Sequence, residues 1–262
     1  MKPLTHETRD TLLAQMVEAA RAAGALIMHH YAGEVTRRHK ADKSPVTAAD
    51  EEAEKLILEL LHKAAPEIPV VAEESAAAGK LPDVSRGVFF LVDPLDGTKE
   101  FLNRNGEFTV NIALIEHSKP TAGVVFAPAV HRLFWGSDAK AFEERTDTKR
   151  VTRIATRATP ADGMVAIASR SHRDRMTDEY LAHYPIKELV AAGSSLKFCV
   201  IAAGEADLYP RHGTTMEWDT AAGDAVLRAA GGRVTRLDGK TPLTYGNAAE
   251  KFTNQSFVAW GR

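Results

Sequence analysis

The residues best able to do chemistry sit together in Asp93-Pro94-Leu95-Asp96-Gly97-Thr98. Pro94 fixes one backbone angle, and Asp-Gly is a turn signal because glycine accepts conformations other residues resist. A tight turn here can aim both aspartates and the Leu95 carbonyl at one point and present the Gly97 and Thr98 N–H groups to an anion. Glu73-Glu74 forms a second acidic pair, and Asp219 follows Trp218. Hard oxygen donors of this kind suit Mg²⁺. The reaction that needs several of them is phosphate-ester hydrolysis: the ester's negative oxygens repel a nucleophile, and divalent cations remove that obstacle. Each motif also has an ordinary counterpart, since Asp-Pro and Asp-Gly are common in turns, Asp is a common helix cap and a Glu pair is often solvated. Taken alone, Asp93 and Asp96 are more often a turn than a metal site; two apolar runs that end in acids and a third acid after Trp218 bring the two readings level.

The elements that would position these acids are legible in the apolar pattern. Leu12, Leu13, Met16, Val17, Ala20, Gly24, Ile27, Met28 and Tyr31 recur at spacings of three and four and predict a first helix. Thr47, with Asp50 three residues on, predicts the capped start of a second, carrying Leu56, Ile57, Leu60 and Leu61 and ending near Pro66. The short apolar runs 68–72 and 88–92 read as buried strands, one ending in Glu73-Glu74 and the other in Asp93. Residues 108–115, 123–126 and 133–135 read as further strands. Beyond them the pattern alternates: strand 164–168, helix 174–183, strand 188–191, helix 194–203, strand 208–209 and helix 219–230. Such alternation implies α/β layering. The expectation is one compact catalytic domain over 1–262, with an N-terminal lobe to about residue 150 and a C-terminal lobe from about 151. The polar stretch Arg145–Arg157 marks the boundary.

Composition excludes several classes of function. With 262 residues, 44% hydrophobic and 26% charged, the chain has ordinary globular composition, and a net charge of −2 gives no global pull toward nucleic acid or an anionic membrane. An anionic substrate must therefore be held locally. The single cysteine, Cys199, rules out an intramolecular disulfide and fits a reducing compartment. The N-terminal residues lack the apolar core of a secretory signal, and no run approaches the roughly 20 apolar residues of a membrane span. The expectation is a cytoplasmic protein, with peripheral association at the inner membrane left open.

Four blocks, in order, carry a family resemblance: Ser44-Pro45-Val46-Thr47-Ala48-Ala49-Asp50, Ala72-Glu73-Glu74-Ser75, Asp93-Pro94-Leu95-Asp96-Gly97-Thr98 and Trp218-Asp219-Thr220-Ala221-Ala222-Gly223-Asp224-Ala225. Together they resemble the inositol monophosphatase superfamily of lithium-sensitive, Mg²⁺-dependent phosphatases. Within it, Lys99-Glu100-Phe101, the segment Gly193-Ser194-Ser195-Leu196-Lys197-Phe198-Cys199 and Leu208-Tyr209-Pro210-Arg211 are similar to the bacterial 3′(2′),5′-bisphosphate nucleotidase branch, the CysQ type. Met216-Glu217 stands where inositol phosphatases carry His-Cys, and Ala72 where many relatives have Gly.

The resemblance implies a five-layer αβαβα sandwich of the inositol monophosphatase and fructose-1,6-bisphosphatase type. It implies hydrolysis of the 3′-phosphate of adenosine 3′,5′-bisphosphate, with the 3′-phosphosulfate nucleotide a further candidate, in sulfate assimilation and nucleotide recycling. The alternative is an inositol-1-phosphate or sugar-phosphate phosphatase on the same site. It further implies that Glu73, Asp93, Asp96, Asp219 and the Leu95 carbonyl bind two or three Mg²⁺ ions, and that Glu73 and Thr98 position the attacking water. Asp50 would fix the Thr98 hydroxyl, and Glu74 would support the ligands from behind. Substrate contacts would come from Leu95, Asp96, Gly97, Thr98, Gly193, Ser194, Lys197 and Asp219. The partner is a small nucleotide bisphosphate, not a nucleic-acid polymer, and the chain acts as a monomer or homodimer.

The remaining polar residues are less specific. The ten histidines, His39 and His172 among them, make no zinc-ligand spacing. Cys199 lies in an apolar helical run and reads as an inert buried thiol. Ser194 and Ser195 suit a helix cap or the lining of a nucleotide pocket, two roles that are compatible. Lys40 and Lys43 are solvated or at the site mouth, and Arg211 is a candidate for a second phosphate.

Overall fold

The computed structural model describes residues 3–33, 38–39, 45–169 and 174–262. Lys40, Lys43, Ser44 and His172 therefore lie outside the described residues.

Helix α1 (His6–Ala32) begins at Thr5, whose hydroxyl accepts the Thr8 N–H at 3.1 Å. Its stripe of Leu12, Leu13, Met16, Ala20 and Ile27 is buried as the spacing predicts. Among the described helices only α1 is long and apolar enough, by length and composition, to cross a membrane. Its apolar stripe is spent on the core. A two-residue pair, β1 (Arg38–His39) and β2 (Pro45–Val46), precedes α2 (Ala48–Ala64). The capping box expected at α2 is formed between Thr47 and Asp50.

The chain then builds a seven-stranded sheet from β3 (Val70–Ala72), β4 (Val88–Asp96), β5 (Thr109–Glu116), β6 (Lys119–Ala127), β7 (Arg132–Ser137), β8 (Lys140–Arg145) and β9 (Arg150–Ile154). The strands lie in chain order, with β3 and β4 parallel and the rest antiparallel. Two short helices sit at strand ends, α3 (Glu73–Ala77) after β3 and α4 (Thr98–Leu102) after β4. A second, five-stranded sheet has the order β11-β10-β12-β14-β13. It comprises β10 (Met164–Ser169), β11 (Ile186–Ala192), β12 (Leu208–Arg211), β13 (Arg233–Arg236) and β14 (Phe257–Trp260), interleaved with α5 (Arg175–Leu181), α6 (Leu196–Ala202) and α7 (Ala221–Ala229).

Alternation along the strands sorts the side chains into layers. Phe90, Val92, Ile112 and Leu114 pack with α1 and α2, while Phe89, Leu91, Ala113 and Ile115 pack with Phe198 of α6 and Val226 of α7. The far side of α6 and α7 meets Val165, Ile167, Tyr209 and Phe257 of the second sheet. The outer face of that sheet takes Leu181 of α5. Helix, sheet, helix, sheet, helix is the five-layer αβαβα order expected. The α7 layer lies very close to the first sheet: a Cβ on Gly123 would stand 2.5 Å from the Ala222 carbonyl, and one on Gly136 2.7 Å from Ala229 Cβ.

Three local expectations are corrected. The stretch Arg145–Arg157 is polar because it contains β9, the outermost strand of the large sheet, where Arg150 to Arg153 are exposed. The chain leaves that sheet only after Ile154. The helix expected from Asp219 begins at Ala221, after a 3₁₀ turn over Glu217–Asp219. Asp219 is therefore not its cap; its side chain instead accepts the Met216 N–H at 2.8 Å. The helix expected over 194–203 spans Leu196–Ala202, and neither serine before it caps it: Ser195 occupies the cap position without a side-chain cap bond.

Candidate active site

Parallel pairing sets Ala72 beside Val92, so the next residues, Glu73 and Asp93, lie side by side where the pairing of β3 with β4 ends. Residues three apart on a regular strand point to opposite faces. The ladder between β4 and β5 breaks here: Asp93 pairs with Asn111 and Asp96 with Thr109, so two residues, Pro94 and Leu95, oppose Val110 alone. This bulge brings Asp96 to the same side as Asp93. The buried Asp93 holds the turn from within, its Oδ1 accepting the Leu95 N–H at 3.0 Å. Gly97 then takes φ +91°, a left-handed conformation that frees Thr98 to start α4.

Thr98 Oγ1 donates to Asp50 Oδ1 at 3.1 Å and lies 3.4 Å from the Leu95 carbonyl. Asp50 is buried at the head of α2, and its other oxygen accepts the Thr47 N–H and hydroxyl at 2.8 and 2.6 Å. Burial raises the Asp50 carboxyl above the ordinary range, with the charge of Glu73 adding to the rise and the Thr47 bonds opposing it.

A cavity of about 300 Å³ opens over this corner. Glu73, Asp96, Gly97, Thr98 and Asp219 line it, and so do Ser194, Lys197, Tyr209 and Arg211. Asp93 and Leu95 lie buried behind the wall. Burial first, then the charges of Glu73, Asp96 and Asp219, push Asp93 well above the usual carboxylate range. Burial and the charges of Asp96 and Glu73 do the same to Asp219. These acids repel one another, and a divalent cation would relieve that. Their oxygens, with no histidine or cysteine among the described lining residues, fit Mg²⁺ rather than a softer metal. Among the described residues, however, no three acids are already gathered at ligand spacing. Asp96 Oδ2 accepts the Ser194 hydroxyl at 2.7 Å and the Ser195 N–H at 2.7 Å.

Lys99, Lys197 and Arg211 are the cationic part of the lining. Lys197 is buried, donates to the Ser194 carbonyl and sits 5.2 Å from the centre of the Tyr209 ring. Burial lowers its pKa to about 8, opposed by the nearby Asp96. Arg211 donates to the Gly213 and Thr214 carbonyls at 3.2 and 3.3 Å.

Other sequence candidates fall differently. Gly193 does not line the cavity; its N–H donates to Glu107 Oε2 at 2.8 Å. Ser194 does line it, but its hydroxyl points to Asp96. Glu74 lies on another surface, beside Glu51 and Lys55. Glu217 is buried and accepts the Gly246 and Asn247 N–H groups at 2.5 and 2.9 Å, so it anchors the C-terminal loop. Cys199 is fully buried, and burial pushes its thiol pKa upward.

Sequence reasoning missed Glu54. It lies one helical turn after Asp50 on the buried face of α2, and that spacing was the available signal. Its carboxylate accepts the Glu74 and Ser75 N–H groups at 2.7 and 2.8 Å and the Ser75 hydroxyl at 2.6 Å. It thereby caps α3 and fixes the corner that carries Glu73.

Comparison with known proteins places this chain among phosphatases. The family model described as "Inositol monophosphatase family" matches residues 8–259. A curated 3′(2′),5′-bisphosphate nucleotidase CysQ from Shigella flexneri is 44% identical over 248 residues, covering 94% of this chain and 98% of that protein. The crystal structure of CysQ from Bacteroides thetaiotaomicron is 35% identical, with a TM-score of 0.79 over 95% of this chain and 96% of its own. An inositol monophosphatase from Anabaena is 27% identical, with a TM-score of 0.72 over 96% of this chain and 90% of its own.

Proposed function

The chain belongs to the inositol monophosphatase family, and on that premise we propose that it is a 3′(2′),5′-bisphosphate nucleotidase, a Mg²⁺-dependent phosphomonoesterase. It removes the 3′-phosphate of adenosine 3′,5′-bisphosphate to give AMP and phosphate. The 3′-phosphosulfate nucleotide, which carries the same 3′-phosphate, is a second candidate substrate. The observation that carries the reading is a single cavity walled by Glu73, Asp96 and Asp219 and also by Lys197 and Arg211. A monophosphate needs only the acids and their cations, while a bisphosphate also uses basic side chains such as Lys197 and Arg211. The identity to CysQ proteins over nearly the whole chain supports the same substrate.

Glu73, Asp93, Asp96, Asp219 and the Leu95 carbonyl would hold two or three Mg²⁺ ions. When bound, the ions supply the positive charge that offsets the phosphate's own and ease ionisation of water. The chain's residues do the rest. Thr98 gives its hydroxyl hydrogen to Asp50, so its oxygen faces the cavity as an acceptor and orients the attacking water. Glu73 takes the water's proton. The Gly97 and Thr98 N–H groups cradle the phosphate, and Lys197 and Arg211 hold the other one. Attack is in line with the departing 3′-oxygen, and no enzyme side chain is phosphorylated.

Side-by-side turnover of adenosine 3′,5′-bisphosphate and inositol-1-phosphate with Mg²⁺ tests the proposal. The nucleotide is expected to have the higher kcat/KM. A clear preference for inositol-1-phosphate overturns the nucleotidase reading and assigns the chain to inositol phosphate.

A further inference from the structure

Asp96 is held by residues that no ligand role requires. Its Oδ2 faces Ser194 Oγ and Ser195 N, each at 2.7 Å, Ser195 Oγ at 3.0 Å and Asn111 Nδ2 at 3.3 Å. One carboxylate oxygen has about two lone-pair positions. The Ser194 hydroxyl and the Ser195 N–H fill them, and their hydrogens would repel a cation on that side. No described residue donates to Oδ1 in the same way.

The arrangement is built from three directions. Ser194 takes φ +53°, a strained left-handed conformation that turns its hydroxyl and the next N–H toward the same oxygen. Asn111, fully buried on β5, has its amide oriented by Thr109, whose hydroxyl donates to Asn111 Oδ1 at 2.9 Å. The Asn111 NH₂ therefore faces Ser195 Oγ at 2.8 Å and Asp96. Ser195, also buried, has its Oγ 2.5 Å from the Asp219 carbonyl. One small network thus ties Asp96, from the first sheet, to the backbone of Asp219, which precedes α7.

We propose that Asn111, Ser194 and Ser195 are positioning residues that saturate Asp96 Oδ2 and so make Asp96 a one-oxygen ligand, presenting only Oδ1 to a cation. This rests on the metal-site reading above. It assigns the second lobe a part in metal affinity through the turn between β11 and α6, apart from any contact with substrate.

Direct Mn²⁺ titration of the full chain, followed by the paramagnetic signal of free Mn²⁺, tests this together with melting temperatures in EDTA. Removing such supporting bonds commonly weakens metal binding by about 10- to 100-fold. Asn111→Ala is expected to raise the Mn²⁺ dissociation constant by about 10-fold, at the low end of that range. Thr109→Val, nearly the same shape, is expected to shift it the same way by less. Both should raise the Mg²⁺ concentration for half-maximal rate while kcat at saturating Mg²⁺ largely recovers. Unchanged affinity in a folded Asn111→Ala chain overturns the proposal. So does an affinity loss that parallels the loss of melting temperature in both variants, which would mark the network as merely structural. A wild-type chain that binds no Mn²⁺ overturns both this and the metal site. A chain that binds Mn²⁺ through this network but prefers inositol-1-phosphate leaves the positioning role standing and removes only the nucleotidase reading.

Discussion

Thr98 Oγ1 donates to Asp50 Oδ1 across 48 residues of sequence, joining the head of α2 to the start of α4. The direction of that bond decides what Thr98 can do. A threonine whose hydrogen is taken from behind offers lone pairs in front, and a water placed there must point a hydrogen toward it. Thr98→Val keeps the shape and removes the acceptor. It is expected to lower kcat by about 10²-fold, the lower end of what a positioned proton-transfer partner contributes. KM for the bisphosphate should change little, because the phosphate contacts are backbone N–H groups. Steady-state kinetics at saturating Mg²⁺ checks this.

The acidic cluster makes the metal-free chain sensitive to pH in a definite sense. Burial and neighbouring charges raise Asp93 and Asp219 above their unfolded values. A carboxyl raised on folding contributes stability at low pH and loses it as pH rises through the folded pKa. At neutral pH in EDTA these two groups therefore oppose folding. Asp219→Asn is expected to melt higher than wild type in EDTA at pH 7, with the difference closing toward pH 4. Added Mg²⁺ should raise the melting temperature of the wild type and much less that of the variant. A variant that melts lower than wild type under metal-free neutral conditions would contradict the repulsion.

Lys197 has the opposite chemistry and its own window. Its pKa is lowered from 10.5 to about 8, chiefly by burial. Below about pH 8 it is charged in both folded and unfolded states, and the fold bears the desolvation cost. Between about 8 and 10.5 the unfolded chain binds more protons, so this group's contribution to stability rises with pH. Lys197→Met is expected to be more stable than wild type at pH 7, with the advantage shrinking over that window. Activity should run the other way: KM for the bisphosphate rises above about pH 8 as the ammonium is lost. KM for a monophosphate substrate should not rise with it.

Glu54 is expected to matter as much as a residue in the cavity wall. Glu54→Ala leaves the Glu74 and Ser75 N–H groups at the start of α3 without their acceptor. Losing such partners in a buried setting costs about 1–3 kcal/mol. Because the same corner carries Glu73, the Mg²⁺ requirement should rise as well. Chemical denaturation and a Mg²⁺ activation curve on the one variant measure both effects.

The sequence made the acids and the layers readable for a local reason. Glu73 and Asp93 each terminate an apolar run, and a run of Val and Phe marks a buried strand whatever the rest of the chain does. The Thr47–Asp50 cap is written within four residues. What stayed hidden depends on distant partners. Ser194 and Ser195 look like a helix cap because their neighbours are helical, and only the packing of two lobes reveals Asp96 opposite them. Likewise β9 reads as a polar boundary because an edge strand with exposed arginines lacks the alternation that betrays a buried one.

The closeness of α7 to the first sheet has a further consequence. Asp219 belongs to the turn that leads into α7, while Asp93 and Asp96 end β4, so the gap between them is gauged by how deeply the helix seats. That depth is set where Gly123 and Gly136 leave room for Ala222 and Ala229. Two positions without side chains thus act as shims for the catalytic gap. A single methyl added at either would widen it from beneath, which offers evolution a way to retune the reaction without replacing any acid.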